Sequence, residues 1–242
     1  MKTLTAVIFA IAIVLAAIFL GNAYVDRATP QGTISVTGLG ETDFSSDLIV
    51  WNASFNVQNA NLRDGYAKLN QDKETVRNYL KQKGVKESEI VFASVSVGEV
   101  TEPRYSPSGE YQGTRFLAHR LTQSVEVNSN DVDRVEEISR NITELLNSGL
   151  TIYSQAPRYY YTGLADLKVQ MISKATEDAR IRAEQIAENS GGDLGNLRNA
   201  RMGVFQITGQ NSAEDYSWGG TYNTASREKT ASITVKLDYT TD

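Results

Sequence analysis

The chain has no cysteine, a single histidine, three methionines and four prolines among its 242 residues. Each scarcity closes a route. Without cysteine there is no disulfide, no thiolate nucleophile, no sulfur-ligated zinc and no lipid attached at a cysteine. With so little sulfur the chain is also a poor thiol-based oxidant scavenger. The compartment stays open, because an exported domain with a sufficient core needs no cross-links. The lone His119 sits beside Arg120 in "RFLAHRLTQSVEV", a run that reads as strand, and is expected to be a strand-face side chain. The usual Ser-His-Asp machinery and most transition-metal sites need a well-placed histidine. Positive charge is not in excess either: 24 Lys and Arg against 29 Asp and Glu give −5. Such a chain lacks the field that gathers nucleic acid, and no aromatic motif of an RNA-binding sheet is present. No nucleic-acid partner is expected.

Catalytic motifs are missing as well. There is no G-x-S-x-G elbow and no H-E-x-x-H helix. The expectation is a protein that is not an enzyme, with no catalytic residue, no metal and no cofactor. The alternative is a hydrolase or other cell-envelope enzyme with an unrecognised carboxylate pair. Such a pair needs its carboxyls about 5–9 Å apart. Glu214 and Asp215 could approach a hard cation, but two oxygen-bearing side chains are too few for a site.

One long hydrophobic run is present. From Thr3 to Val25 no charge appears, and Lys2 precedes the run. A spanning helix needs about 20 apolar residues, and a positive charge ahead of the run keeps the N-terminus in the cytoplasm. A cleaved signal peptide has the same opening, and Gly21-Asn22-Ala23 could be its processing site. Residues 1–25 are therefore a signal anchor or a signal peptide, with the anchor favoured. Residues 26–32, with Pro30, form a linker, and residues 33–242 are the exported domain.

That domain reads as a series of strands and helices. "TISVTGLGET" and "DLIVWNASFNVQN" are strands. Gly38 and Gly40 suggest a bend or a close backbone approach, and imperfect alternation after Ile49 suggests a bulge. A helix follows, capped by Asn61 and closed by Gly84. "IVFASVSVGEV" and "TRFLAHRLTQSVEVN" are strands flanking the loop "EPRYSPSGEYQG". A second helix starts at Asn130 and ends at Gly149, and "TIYSQAPRYYYT" is strand. The third helix runs from about Gly163 to Ser190. "NLRNARMGVFQITG" and "REKTASITVKLDY" are strands separated by the loop "QNSAEDYSWGGTYNTAS". Ile49 to Thr162 thus follows a split β-α-β-β-α-β order. The fold class is α+β, helices on a largely antiparallel sheet, behind an N-terminal apolar helix. The sequons at Asn52 and Asn141 fall inside these elements and read as chance matches.

The third helix is densest in pattern. Ala175, Ala179, Ala183 and Ala187 recur every four residues and share one side. Leu164, Leu167, Met171, Ile172 and Ile186 are expected to extend that side. Asp178–Arg182 and Glu177–Arg180 are spaced to pair on the surface, and Gly191-Gly192 allows the positive φ that ends a helix. Every residue has a packing or solvation cause, so the stretch is read as a helix that approaches a neighbour closely.

"MISKATEDARIRAEQIAENSGGDLGNLRNARMGVFQIT" followed by "ASITVKLDY" resembles the C-terminal half of the SIMPL-domain family. "ISVTGLGETDFSSDLIVWNASF" resembles its opening V-x-G-x-G-E and the acidic residue, here Asp47, that begins the long second strand. "YYYTGLADLKVQMI" is similar to the middle of a membrane-anchored branch. The likeness runs from Thr33 to Tyr239. It implies a bacterial envelope protein, periplasmic or otherwise extracytoplasmic, in a family that includes a periplasmic immunogenic protein. It implies no established enzyme activity. Some relatives are linked to oxidative-stress tolerance and some form ring-like oligomers.

The functional expectation is an envelope protein acting through self-assembly or partner binding. It is expected to be a homo-oligomer, to be tethered to the inner membrane through residues 3–25 if uncleaved, and to have a protein partner that the residues do not name. The interface candidates are Tyr216, Trp218 and Tyr222 in the last loop, since Tyr and Trp are large, rigid and half-polar. Tyr159, Tyr160 and Tyr161 read more simply as sheet packing.

Overall fold

A computed structural model describes the backbone of residues 2–28 and 32–241 and the side chains of residues 10–24 and 32–241. Among the described residues are four α-helices, α1 (Lys2–Ala28), α2 (Leu62–Gln82), α3 (Val132–Asn141) and α4 (Leu164–Asn189). Ten strands accompany them: β1 (Thr33–Ser45), β2 (Leu48–Asn59), β3 (Ile90–Phe92), β4 (Ser96–Tyr105), β5 (Tyr111–Ser129), β6 (Ile152–Ser154), β7 (Arg158–Tyr160), β8 (Leu194–Met202), β9 (Gln206–Gly209) and β10 (Glu228–Thr241). One antiparallel sheet has the order β1-β10-β8 with β9 also on β10. The other has the order β3-β5-β2-β6, with β4 on β5 and β7 on β2. This is the α+β class expected. Thr29–Gln31, including Pro30 of the expected linker, lie outside the described residues. The chain forms two compact units: residues 1–40, 172–203 and 233–242, and residues 41–171 and 204–232.

In the first of these units the alanine stripe is buried, with Ala175, Ala179 and Ala183 fully inaccessible. Ile34, Val36, Ile233, Val235 and Leu237 are among its buried strand residues. The reason for the stripe is Gly38. A methyl group there would lie 2.1 Å from the Ala175 carbonyl oxygen and 2.4 Å from the Ala179 nitrogen. Strand and helix backbones touch, and only glycine against alanine permits it. The Leu39 N–H donates to Asp178 Oδ2 at 2.8 Å, and this bond, with Arg182 at 3.0 Å, holds the Asp178 carboxyl below its ordinary pKa. The opening glycine motif and the third helix are two halves of one contact. Ile172 and Ile186, expected on the buried side, are exposed. Ile186 stands one residue from Ala187 and Ile172 one residue from buried Met171, each about 100° around the helix, and the buried side takes only the four-residue series. Gly191 has the expected positive φ of 79°.

In the second unit, α2 and α3 cover the six-stranded sheet over a core centred on Trp51, Phe55, Leu69, Leu80 and Val125. The chain order of β2, α2, β3/β4, β5, α3 and β6/β7, and the strand order β3-β5-β2-β6, make it the split β-α-β-β-α-β arrangement. Asn61 caps α2, accepting from the N–H groups of Arg63 and Asp64, and Gly84 follows at φ +91°. Trp51 is fully buried and donates its indole N–H to Ser154 Oγ at 3.0 Å. Asp47 accepts from the Thr162 N–H at 2.7 Å and hydroxyl at 2.6 Å, fixing the start of β2.

Several expectations are corrected here. β2 carries no bulge, since Ile49 to Asn59 pair without a break with Ser129 to His119. Ala53 takes the inward position between buried Trp51 and Phe55. The second helix is capped by Asp131, whose carboxylate accepts from Arg134 N; Asn130 instead donates to the Asp47 carbonyl. That helix ends at Asn141 and continues as a 3-10 helix, Ile142–Ser148, closed by Gly149 at φ +75°. The Pro- and Gly-rich loop after Val100 is mostly strand, because β4 runs to Tyr105 and β5 begins at Tyr111. The two form a ribbon that buries little. Three expected strands are each broken in two, giving β3/β4, β6/β7 and β8/β9.

Candidate functional site: the aromatic loop between β9 and β10

β9 and β10 pair antiparallel, with Gly209 opposite Lys229. The chain between them leaves the sheet and returns, and this excursion carries Tyr216, Trp218 and Tyr222. It is held from inside. Gln206, buried in β9, donates through Nε2 to the Ser217 carbonyl at 2.8 Å and accepts the Thr221 N–H at 2.8 Å. The Ile207 N–H donates to the Thr221 carbonyl at 2.7 Å, and the Asn223 N–H to the Ile207 carbonyl at 2.9 Å. The returning segment is thereby laid parallel against β9 at Tyr222. Glu214 accepts from the Gly209 N–H at 3.1 Å and from the Asn223 amide. Asn223 accepts the Ser226 N–H at 2.8 Å. Glu214 therefore serves the loop's own frame, and among the described residues no cluster of three or more acidic or histidine side chains is placed to hold a metal.

Beneath the loop lies Lys229, with no exposed surface. Its Nζ donates to the Ser226 carbonyl and stands 6.0 Å from the centre of the Tyr159 ring. Burial pushes its pKa down to about 8, against the pull of Glu214 and Glu228. Nearby, Arg227 pairs with Asp133 at 2.5 Å and Glu136 at 3.3 Å.

The three candidate aromatics come together on this loop but differ in setting. Trp218 is 100% exposed and Tyr216 65%. Tyr216 is lightly tied, its hydroxyl accepting from Ser232 at 3.3 Å. Tyr222 stands 6.4 Å from the Tyr160 ring and forms a wall. That wall belongs to a groove of about 470 Å³ shared with Leu164, Lys168, Phe205, Gly220 and Thr221. Tyr159 is buried and Tyr161 packs on Phe44 at 4.9 Å, so both serve packing. His119 is a strand-face side chain against Phe116, with ring centres 4.9 Å apart.

Sequence reasoning missed Lys168, Phe205, Gln206 and Lys229. Gln206 and Lys229 are polar residues inside strands, and only the pairing of β9 with β10 shows that they underlie the loop. It also missed the β4–β5 ribbon, which exposes Val97, Tyr105, Tyr111, Phe116 and Leu117. The uninterrupted length of "YQGTRFLAHRLTQSVEVNS" was the signal that could have revealed it.

Residues 34–239 match the SIMPL family, described as a protein of unknown function (DUF541), and the chain belongs to that family. Comparison with curated proteins gives no match. Among the described residues no helix is long and apolar enough to cross a membrane.

Proposed function

We propose that this protein is a non-enzymatic, extracytoplasmic envelope protein that works by self-assembly or by binding a protein partner, in the tolerance of envelope or oxidative stress. The observation that carries the binding reading is Trp218, wholly exposed on a loop whose backbone is fixed by buried Gln206 and Asn223. A rigid, exposed aromatic is what an interface uses, because little ordering entropy is lost on contact. The test is light scattering of the full chain in detergent, corrected for bound detergent, over a range of concentration. Tyr216→Ala with Trp218→Ala lowers the mass or abolishes capture of a partner. An unchanged mass and unchanged capture would remove the loop from the interface.

Export and tethering rest on α1. Its 27 residues follow one helical course, and its described side chains, Ala10 to Tyr24, are all exposed. That described stretch is shorter than the about 20 residues a span requires, but the uncharged run from Thr3 to Val25 reaches it. An uncharged, largely apolar run whose described side chains, residues 10–24, are all exposed fits a lipid environment. Retention in the membrane pellet after alkaline carbonate washing supports the anchor, and release of a shortened chain supports cleavage. For the hydrolase alternative, the carboxylates beside the loop, Asp133 and Glu136, are both paired with Arg227, so neither is set up as a proton donor.

A further inference from the structure

We infer that the groove beside the aromatic loop is a binding site for a small amphipathic anion, an apolar chain or ring bearing one negative head. The inference rests on the reading of this loop as a binding face and names a ligand class for it. The groove's volume of about 470 Å³ is that of a small-molecule pocket. Its walls are apolar and aromatic: Leu164, Phe205 and Tyr222, over a floor at buried Ile207. Gly220 keeps it open. With φ +92°, a side chain there is strained, and its first carbon would lie 2.9 Å from the Phe205 carbonyl oxygen.

The charge at this site is one lysine. Lys168 Nζ stands 5.6 Å from the centre of the Phe205 ring, so the cation sits against the aromatic wall. Among the described residues Lys168 enters no ion pair; of the loop's two acids, Glu214 is engaged by Gly209 and Asn223, and Asp215 does not line the groove. One unpaired cation on an apolar groove complements one anionic head on an apolar body. A polyphosphate or nucleic acid would need several cations and would meet a chain of net charge −5.

The test uses the full chain in zwitterionic lipid nanodiscs, titrated calorimetrically with 4-phenylbutyrate and with the neutral 4-phenylbutanol. The acid binds at least tenfold more tightly than the alcohol. Lys168→Met removes that difference, Lys168→Arg keeps it, and Tyr222→Ala weakens both ligands. Equal affinity for acid and alcohol, or an unchanged acid affinity in Lys168→Met, overturns the inference. The Tyr216→Ala/Trp218→Ala variant separates the two readings. If it loses assembly or capture while phenylbutyrate fails to bind the parent, the groove inference fails alone. If phenylbutyrate binds with the stated pattern and the variant assembles and captures normally, the protein-contact reading fails and the groove stands.

Discussion

Replacing Ala179 by Leu tests the contact on which the first unit is built. Ala179 is fully buried, and the space a side chain at Gly38 would occupy is taken by the Ala175 carbonyl and by the nitrogen and β-carbon of Ala179, the latter 2.8 Å away. The three added carbons meet backbone, which cannot rotate aside as a side chain would. Overpacking costs about 1–3 kcal/mol, and rigid neighbours place this case near about 3 kcal/mol. In a chain of this size each kcal/mol lowers Tm by about 2–4 °C, so the melt followed by circular dichroism drops by about 6–12 °C. The urea midpoint falls with an unchanged slope. Gly38→Ala gives a drop of the same kind. The double variant costs less than the sum, because both changes strain one contact. Arg180→Ala, on the exposed face of the same helix, leaves Tm unchanged. An Ala179→Leu protein melting within about 2 °C of the parent refutes close packing as the cause of the stripe.

Three further outcomes follow from the second unit. Lys229 has a lower pKa folded, about 8, than unfolded, so above pH 8 the unfolded chain binds more protons and stability rises with pH until that lysine titrates near 10.5. Tyr79, raised to about 12 by burial and Glu144, acts only above pH 10 and with the opposite sign. The rise in urea midpoint between pH 8 and 10 therefore belongs to Lys229. Lys229→Met abolishes it and at pH 7 removes a desolvation cost on the order of 3 kcal/mol, offset in part by the lost bond to Ser226. Gln206→Ala releases the Ser217 carbonyl and the Thr221 N–H, so limited proteolysis nicks the loop near Trp218 many times faster, with Tm little changed. Asp47→Ala removes both bonds from Thr162 and costs about 1–2 kcal/mol in urea titration; an unchanged midpoint would show that the pair is idle.

The parts of this fold legible in the sequence were those set by local chemistry. Caps and glycines with positive φ were readable at Asn61, Gly84, Gly149 and Gly191 because a single residue decides each. The alanine series was readable because its period is fixed by the helix. Strand breaks were not. β6 and β7 both pair with β2, and the gap between them, Gln155–Pro157, is imposed by the return of the chain, where the Gln155 N–H reaches the Asn52 carbonyl. The ribbon was missed for a related reason. Pro103, Pro107 and Gly109 resemble a loop, but Pro103 lies on the outer strand, where proline is tolerated. Only the turn from Ser106 to Glu110 is loop. At the candidate site the exposed aromatics were legible as residue types. Their supports were not, since Gln206 and Lys229 act across a strand pair that sequence order does not show.

The cost of the aromatic loop is itself an argument for its use. Strands paired as Gly209 is with Lys229 can be joined by about two to five residues. This chain instead runs from Gln210 to Arg227 and places buried polar groups under the detour: Gln206, Asn223, Lys229 and Ser232. Burying such groups is unfavourable unless each finds a partner, and each does, in the loop's own backbone or side chains. Long ordered loops without secondary structure are uncommon in domains that only need a connection. The bonds ending at Ser217, Thr221 and Ser226 stabilise little that a short turn would not. What they do is hold Trp218 in water and the Tyr222 wall open beside Lys168, so that for the binding role proposed above the ordering entropy would be lost during folding rather than on contact.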